Sequence, residues 1–393
     1  MSTRCRLTPI VRRAVLAAAL IPQLSLMASA PKPSRDGELP KTASDVDWMR
    51  AANLHQRAQS GDKLSAEDRA YYNRARELRA TRAGAARASN KGDRNNPIVP
   101  RESVGLVPLT DLKEPYKGET GGLYGDGRNM PPDAHFKAAE AELAKIQPLD
   151  ADGKPADDGL IAFVSISMSN ATMEFSHFKR LADADPLKSP QVAVVDCAQG
   201  GQAMAEWVDP QARAWQVADQ RLTSADVSPR QVQVAWIKLA NKVPQGELKE
   251  HGKKLRDDTL QVIQNAKARF PNLRIAYLGS RTYGGYASNS LNPEPYAYES
   301  AFAARWLIQE QIAGDKELNY DAAQGRVRAP LLLWGPYFWA DGMRPRADGV
   351  QWTREDFVGD GVHPSESGRE IVAQMLLKFL HEDALARPWY VSK

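Results

Sequence analysis

The sequence predicts an α/β fold: a three-layer α/β/α sandwich around a five-stranded parallel sheet, preceded by an N-terminal helical appendage. Three observations predict it. Five short apolar runs rich in β-branched residues occur at 160–166, 191–197, 232–239, 273–278 and 330–334. Each run is apolar throughout instead of alternating, as strands covered on both faces are. Segments of helical length separate them, at about 175–184, 204–222, 248–270 and 295–313, and an amphipathic stretch at 366–385 closes the domain.

The first 30 residues have the layout of a secretory signal. A basic segment ends at Arg12-Arg13, an apolar run covers 14–27, and Ala28-Ser29-Ala30 offers small residues for cleavage. Pro31 is awkward just after a cut at Ala30, so Ala28 is an alternative site. Pro22 interrupts the run, which is too short for a spanning helix, so no stable membrane insertion is expected after cleavage. The expectation is export to the periplasm or medium. The same 30 residues carry Arg4, Arg6, Arg12 and Arg13 and no acid, so they hold the whole net charge of +4. Without them the chain is neutral, which argues against nucleic acid or an anionic membrane surface as a partner. Cys5 would leave with the signal and Cys197 would be the one thiol, so no internal disulfide is expected.

Residues 31–105 read as an appendage and 106–393 as the α/β domain, with its core at 160–385. Within the appendage, 43–82 is helically patterned, interrupted at Ser60-Gly61-Asp62. Ser65-Ala66-Glu67-Asp68 has the form of a helix start, so the pair suits an α-hairpin. Residues 79–96, rich in Ala, Arg, Gly and Asn without apolar periodicity, read as a linker. The Gly- and Pro-rich stretch 121–135 is loop. It follows no strand and lacks both the Gly-Lys-Ser/Thr ending and the GxGxxG spacing of phosphate loops. A helix is expected from His135 to Ile146, with His135 itself read as structural.

A parallel sheet binds ligands beyond the C-terminal ends of its strands, so the strand exits carry the functional reading. The first strand breaks into Ser167, Ser169 and Asn170 before a helix expected from Ala171. A serine on such a turn is exposed and sits beside the free N–H groups of the helix's first turn. Ser169 is therefore either a nucleophile or a helix cap. The second strand is followed by Gly200-Gly201, which suits either a tight turn or the close approach of backbone N–H groups to a ligand. Asn241 follows the third strand, as a turn residue or as an amide donor. Near the C-terminus, DGVHPS places Asp360 and His363 three apart on a glycine-containing loop. That spacing lets the carboxylate orient one ring nitrogen while the other takes a proton, and Ser365 caps the last helix.

Ser169 on a strand-to-helix turn, then a glycine, then Asn241, then Asp360-x-x-His363 before the last helix resembles the SGNH (GDSL-like) hydrolase superfamily. The resemblance covers about 160–385. DGVHPS is its most specific block, whereas Ser167-Met168-Ser169-Asn170 stands where the family has Gly-Asp-Ser-Leu, and Leu239-Ala240-Asn241-Lys242 keeps only the Asn of Gly-x-Asn-Asp. The resemblance implies a flavodoxin-like sheet and a catalytic triad of Ser169, His363 and Asp360. It also implies an oxyanion hole made by the N–H of Ser169, the N–H of Gly201 (Gly200 as the alternative) and the Asn241 amide. No cofactor or metal is required. The helix after the glycine pair, with Trp207, resembles the carbohydrate acetylesterase side of the superfamily.

The activity expected is hydrolysis of small acyl esters, such as acetyl esters, on a carbohydrate or similar polar molecule. Stretches 279–295 and 335–352 follow the fourth and fifth strands and are rich in Tyr, Trp, Arg and Asp. They are expected to overhang the site, with Arg281 and Tyr283 as substrate contacts. Two other readings stay open: a lipase or thioesterase acting on apolar esters, and a non-catalytic binding module on the same scaffold.

Overall fold

The computed structural model describes residues 39–41, 46, 51, 54, 64–89 and 101–392. The expected signal segment, the first helix of the appendage (apart from Val46, Ala51 and Leu54) and residues 90–96 lie outside the described residues. The chain divides into two compact units, Met1–Pro97 and Ile98–Lys393.

In the first unit, helix α1 (Ala66–Ser89) starts where the Ser65 hydroxyl accepts the Asp68 N–H at 3.1 Å. Tyr71 and Ala75 on this helix share a small apolar cluster with Val46, Ala51 and Leu54. The helix runs past the expected linker boundary at Arg79. Alanine and arginine sustain a helix by intrinsic propensity even where no apolar stripe marks one.

The second unit holds a sheet of five parallel strands: β1 (Ile161–Ile166), β2 (Val192–Asp196), β3 (Val232–Lys238), β4 (Ile275–Gly279) and β5 (Leu331–Trp334), in the order β2-β1-β3-β4-β5. This is the flavodoxin-like order, in which the chain reverses direction beside β1 and leaves a crevice between the ends of β1 and β3. The strands fall within two residues of the apolar runs. Every residue of β1, β3, β4 and β5 is buried, and only edge strand β2 is partly open.

Helices α2 (Asp133–Leu143), α3 (Ser169–Asp183), α4 (Met204–Trp207), α5 (Arg213–Ser224), α6 (Leu248–Arg269), α7 (Tyr296–Ile312), α8 (Glu366–Glu382) and α9 (Arg387–Tyr390) complete the unit. Helix α3 packs on α8, and α6 packs on α4 and α7. Among the described residues no helix is long and apolar enough to cross a membrane.

Several helix boundaries differ from the sequence reading. The single helix expected at 204–222 is two, because Pro210 supplies no N–H and the Asp209 carboxylate takes the Gln211 N–H at 2.8 Å. Trp207 and Trp215 then meet edge to face across the break, ring centroids 4.8 Å apart. The last helix stops at Glu382, where Asp383 turns extended and accepts the Leu385 N–H. Helix α2 begins two residues earlier and ends three residues earlier than expected. His135 on α2 is buried and hydrogen-bonds the Leu332 carbonyl at 2.8 Å, which is a structural role. Residues 101–105 join this unit: Asp341 accepts the N–H groups of Val104 and Gly105, and Arg101 donates its N–H to Gly285.

Candidate active site

Strand β1 ends at Ile166, and Ser167 and Met168 carry the chain into α3. Ser167 is fully buried; its hydroxyl donates to the Lys238 carbonyl at the end of β3, and its own carbonyl accepts the Gln199 N–H at 2.9 Å. This buried serine side chain thus stitches the exits of β1 and β3 together. The helix starts two residues earlier than Ala171, with Ser169 as its first residue and Met168 before it at the cap position. Capping therefore falls to a residue whose side chain cannot do it, and Ser169 is free for another partner.

That partner is His363. The Ser169 hydroxyl lies 2.8 Å from His363 Nε2, and His363 Nδ1 lies 2.7 Å from Asp360 Oδ2. Asp360 Oδ1 also accepts the backbone N–H of Val362 and of His363, at 2.9 and 3.0 Å. Burial alone would raise the Asp360 carboxyl, but these hydrogen bonds and the adjacent imidazole outweigh it and hold the group down to about 2. The carboxylate stays charged and keeps its proton-bearing neighbour in one tautomer, with Nε2 facing the serine.

The loop that carries the pair is braced on several sides. Arg354 donates to the carbonyls of Phe357, Val358 and Gly359, and the Ser288 N–H donates to the Asp360 carbonyl. A Cβ at Gly361 would stand 1.7 Å from the Tyr286 carbonyl oxygen, and its φ of +68° also favours glycine. Asn170 donates to the Val362 carbonyl at 2.6 Å, joining the residue after the serine to the residue before the histidine. Ser365 caps α8 by accepting the Gly368 N–H.

The expected anion donors lie at the neighbouring strand exits. Gly200 and Gly201 are exposed, and no heavy atom stands within 4 Å of where a Cβ would be at either; Gly201 has φ +76°. The backbone N–H groups of Ser169, Gly200 and Gly201 have no partner among the described residues. The Asn241 side chain is fixed at both ends. Its oxygen accepts the Ala205 N–H at 2.9 Å, which settles which end is the nitrogen, and Nδ2 donates to Asp258 Oδ2 at 2.5 Å. One of the two amide hydrogens is thus engaged, and the other has no partner among the described residues.

The two expected substrate contacts are both buried. Tyr283 is 1% exposed, its hydroxyl donates to the Arg101 carbonyl, and its ring packs on Tyr286 and Trp339. Arg281 is 2% exposed and lies below the surface, where burial lowers its guanidinium. The aromatics of 279–295 and 335–352 are spent on one another: Tyr286, Tyr337, Trp339 and Trp352 are all buried. These loops are packed walls of the unit, and their rings offer no platform to a sugar.

Asn170, Arg354 and Asp258 escaped the sequence reading. Asn170 had a visible signal, since it adjoins the candidate nucleophile. The others are 17 or more residues from the groups they serve, or bond only to carbonyls, and no local pattern marks such partners.

No protein-family model matches the chain, and no curated protein matches it. Among solved structures, it is similar to a proposed acylhydrolase from Bacteroides fragilis, at 12% identity and a TM-score of 0.33, over 65% of this chain and all of that one. It is similar to the periplasmic domain of a Salmonella ser. Paratyphi A lipopolysaccharide acetyltransferase, at 14% and 0.31, over 63% of this chain and 94% of that one. A salicylyl-acyltransferase from a tetracycline biosynthetic pathway gives 13% and 0.31, over 60% and 58%. Likenesses this distant say nothing of what the present chain does.

Proposed function

We infer that the protein is a serine-dependent acyl-ester hydrolase of the SGNH type. The observation that carries this reading is the continuous relay from the Ser169 hydroxyl through both nitrogens of His363 to Asp360. A serine without such a base is a weak nucleophile, and capping does not require this geometry.

In the proposed reaction, His363 Nε2 takes the hydroxyl proton as Ser169 Oγ bonds to the ester carbonyl carbon. Asp360 stabilises the imidazolium that forms. The negative oxygen of the tetrahedral intermediate is received by the N–H of Ser169, the N–H of Gly201 and the free amide hydrogen of Asn241. As the intermediate collapses, His363 returns the proton to the departing alcohol, leaving an acyl-serine. Water, deprotonated by the same imidazole, then attacks the acyl-serine; as the second intermediate collapses the Oγ–acyl bond breaks, the imidazolium returns the proton to Ser169 Oγ, and the acid departs.

The proposed substrate is a small acyl ester of a polar alcohol. A long acyl chain needs a continuous apolar wall, and the exposed positions in or beside the set along the chain (Gly200, Gly201, Lys242 and Gly359), with Ser288 bonded to Asp360, are small or polar, Val243 and Val358 being the exceptions. The aromatic loops no longer argue for a carbohydrate in particular. The basic, apolar and small-residue layout of residues 1–30 supports export.

The test is hydrolysis of p-nitrophenyl acetate and of longer-chain esters by the purified protein. Ser169→Ala is expected to remove turnover, Asn241→Ala to lower kcat by about 10²–10³-fold, and rates to fall as the acyl chain lengthens. A preference for long chains would favour a lipase or thioesterase. Folded protein with no Ser169-dependent turnover on any ester would make a binding module the better reading.

A further inference from the structure

The nitrogen of Asn241 that would face the oxyanion also donates to a carboxylate. Asp258 Oδ2 lies 2.5 Å from Asn241 Nδ2, on α6, and Lys254, one helical turn earlier, places its ammonium 2.8 Å from the same oxygen. Asp258 keeps 15% of its side-chain surface exposed and Lys254 keeps 65%, so the pair lies at the rim with the carboxylate on the inner side. Both oxygens of Asn241 are engaged as well: its side-chain oxygen takes the Ala205 N–H, and its carbonyl takes the Asn292 amide at 2.6 Å.

This arrangement has a cost as well as a use. Two acceptors on one amide nitrogen stand at two hydrogen-bond lengths, so a carboxylate and an oxyanion sharing Asn241 Nδ2 would be roughly 5 Å apart. Like charges at that separation repel, and the repulsion grows as the oxyanion develops. An uncompensated Asp258 would therefore oppose the transition state while holding the donor in place. Lys254 is the one cation paired with Asp258 among the described residues, and it neutralises that charge.

We propose that Asp258 is a positioning residue that aims the free amide hydrogen of Asn241 into the oxyanion site, and that Lys254 cancels the carboxylate charge that this aiming introduces. The proposal rests on the acyl-transfer reading above. It separates Lys254 from an ordinary i, i+4 surface pair, which would be of little energetic consequence.

Four variants of the full protein test it with p-nitrophenyl acetate, each checked for an unchanged far-ultraviolet spectrum and melting temperature. Asp258→Ala leaves the amide without its second anchor, and kcat is expected to fall about tenfold or more with KM little changed. Asp258→Asn keeps an acceptor without the charge and should recover most of that loss. Lys254→Met exposes the carboxylate charge and should lower kcat about five- to tenfold, and the double variant Lys254→Met/Asp258→Asn should return to the level of Asp258→Asn alone. A purely structural pair would lower melting temperature in Lys254→Met and leave kcat unmoved.

Lys254→Met or Asp258→Ala within twofold of wild-type kcat, while Asn241→Ala remains strongly impaired, would overturn this proposal and leave the acyl-transfer reading standing. A wild type with no Ser169-dependent turnover would overturn both.

Discussion

Asp360 is the residue whose environment is most explicit. Its carboxyl sits near 2 in the fold against 3.8 for an unperturbed group, so the folded protein binds this proton more weakly than the unfolded chain does. The stabilisation is therefore complete above pH 4 and is lost as pH falls from about 4 to about 2, amounting at most to about 2 kcal/mol. Urea midpoints of wild type and Asp360→Asn should converge over that interval; parallel curves would show that the group is not held down. The same substitution presents His363 with an amide that no longer fixes its tautomer, and kcat should fall by about 10⁴-fold, as in other Ser-His-Asp sites. At this scale the sequence is informative where partners are local: Asp360 and His363 are three apart, and their contact is written in their spacing. It is uninformative where partners are distant. Nothing local distinguishes Arg281 and Tyr283, which are buried, from the same residues lying over a pocket, because composition alone does not say which face of a loop is covered.

Between elements, the link to test is the one that joins the serine helix to the asparagine strand. Lys238 ends β3, three residues before Asn241, and Glu174 lies on α3, five residues after Ser169. The two side chains are fully buried and meet through both carboxylate oxygens, at 2.6 and 2.7 Å. Burial presses the Lys238 ammonium downward while Glu174 opposes it. Glu174→Gln leaves a buried cation with a neutral partner and should cost about 3–5 kcal/mol in urea unfolding, whereas Glu174→Gln/Lys238→Met should cost less than that single change. If the double variant is the worse of the two, the pair is not the tie it is taken for. The strands themselves were legible because β1, β3, β4 and β5 are buried on both faces, which leaves an unbroken apolar run. Their charged exception, Lys238, was invisible as a buried group because its partner is 64 residues away. The break between α4 and α5 turned on Pro210, which a helical pattern on either side concealed.

At the scale of the whole molecule, the described buried apolar residues form two main groupings with no member in common. One lies within 46–78 and the other within 104–391. The α/β unit thus carries a core large enough for its own stability. A fragment beginning at Ile98 is expected to fold, to melt within a few degrees of the full chain and to retain Ser169-dependent turnover. Aggregation of the fragment, or loss of its turnover, would assign the first 97 residues a part in the fold or the reaction. Within the α/β unit, the atoms proposed to react are brought together from far apart in the chain: Ser169 and His363 are 194 residues apart. At ordinary rates of synthesis, roughly 10 to 40 s pass between the emergence of the serine and that of its base. Throughout that interval the nascent chain holds a serine with no proton acceptor. On the proposed reading, acyl-transfer capacity arrives only when the His363 loop and the helix behind it dock on a finished sheet, and a chain truncated before that loop is expected to be inert toward every ester it meets.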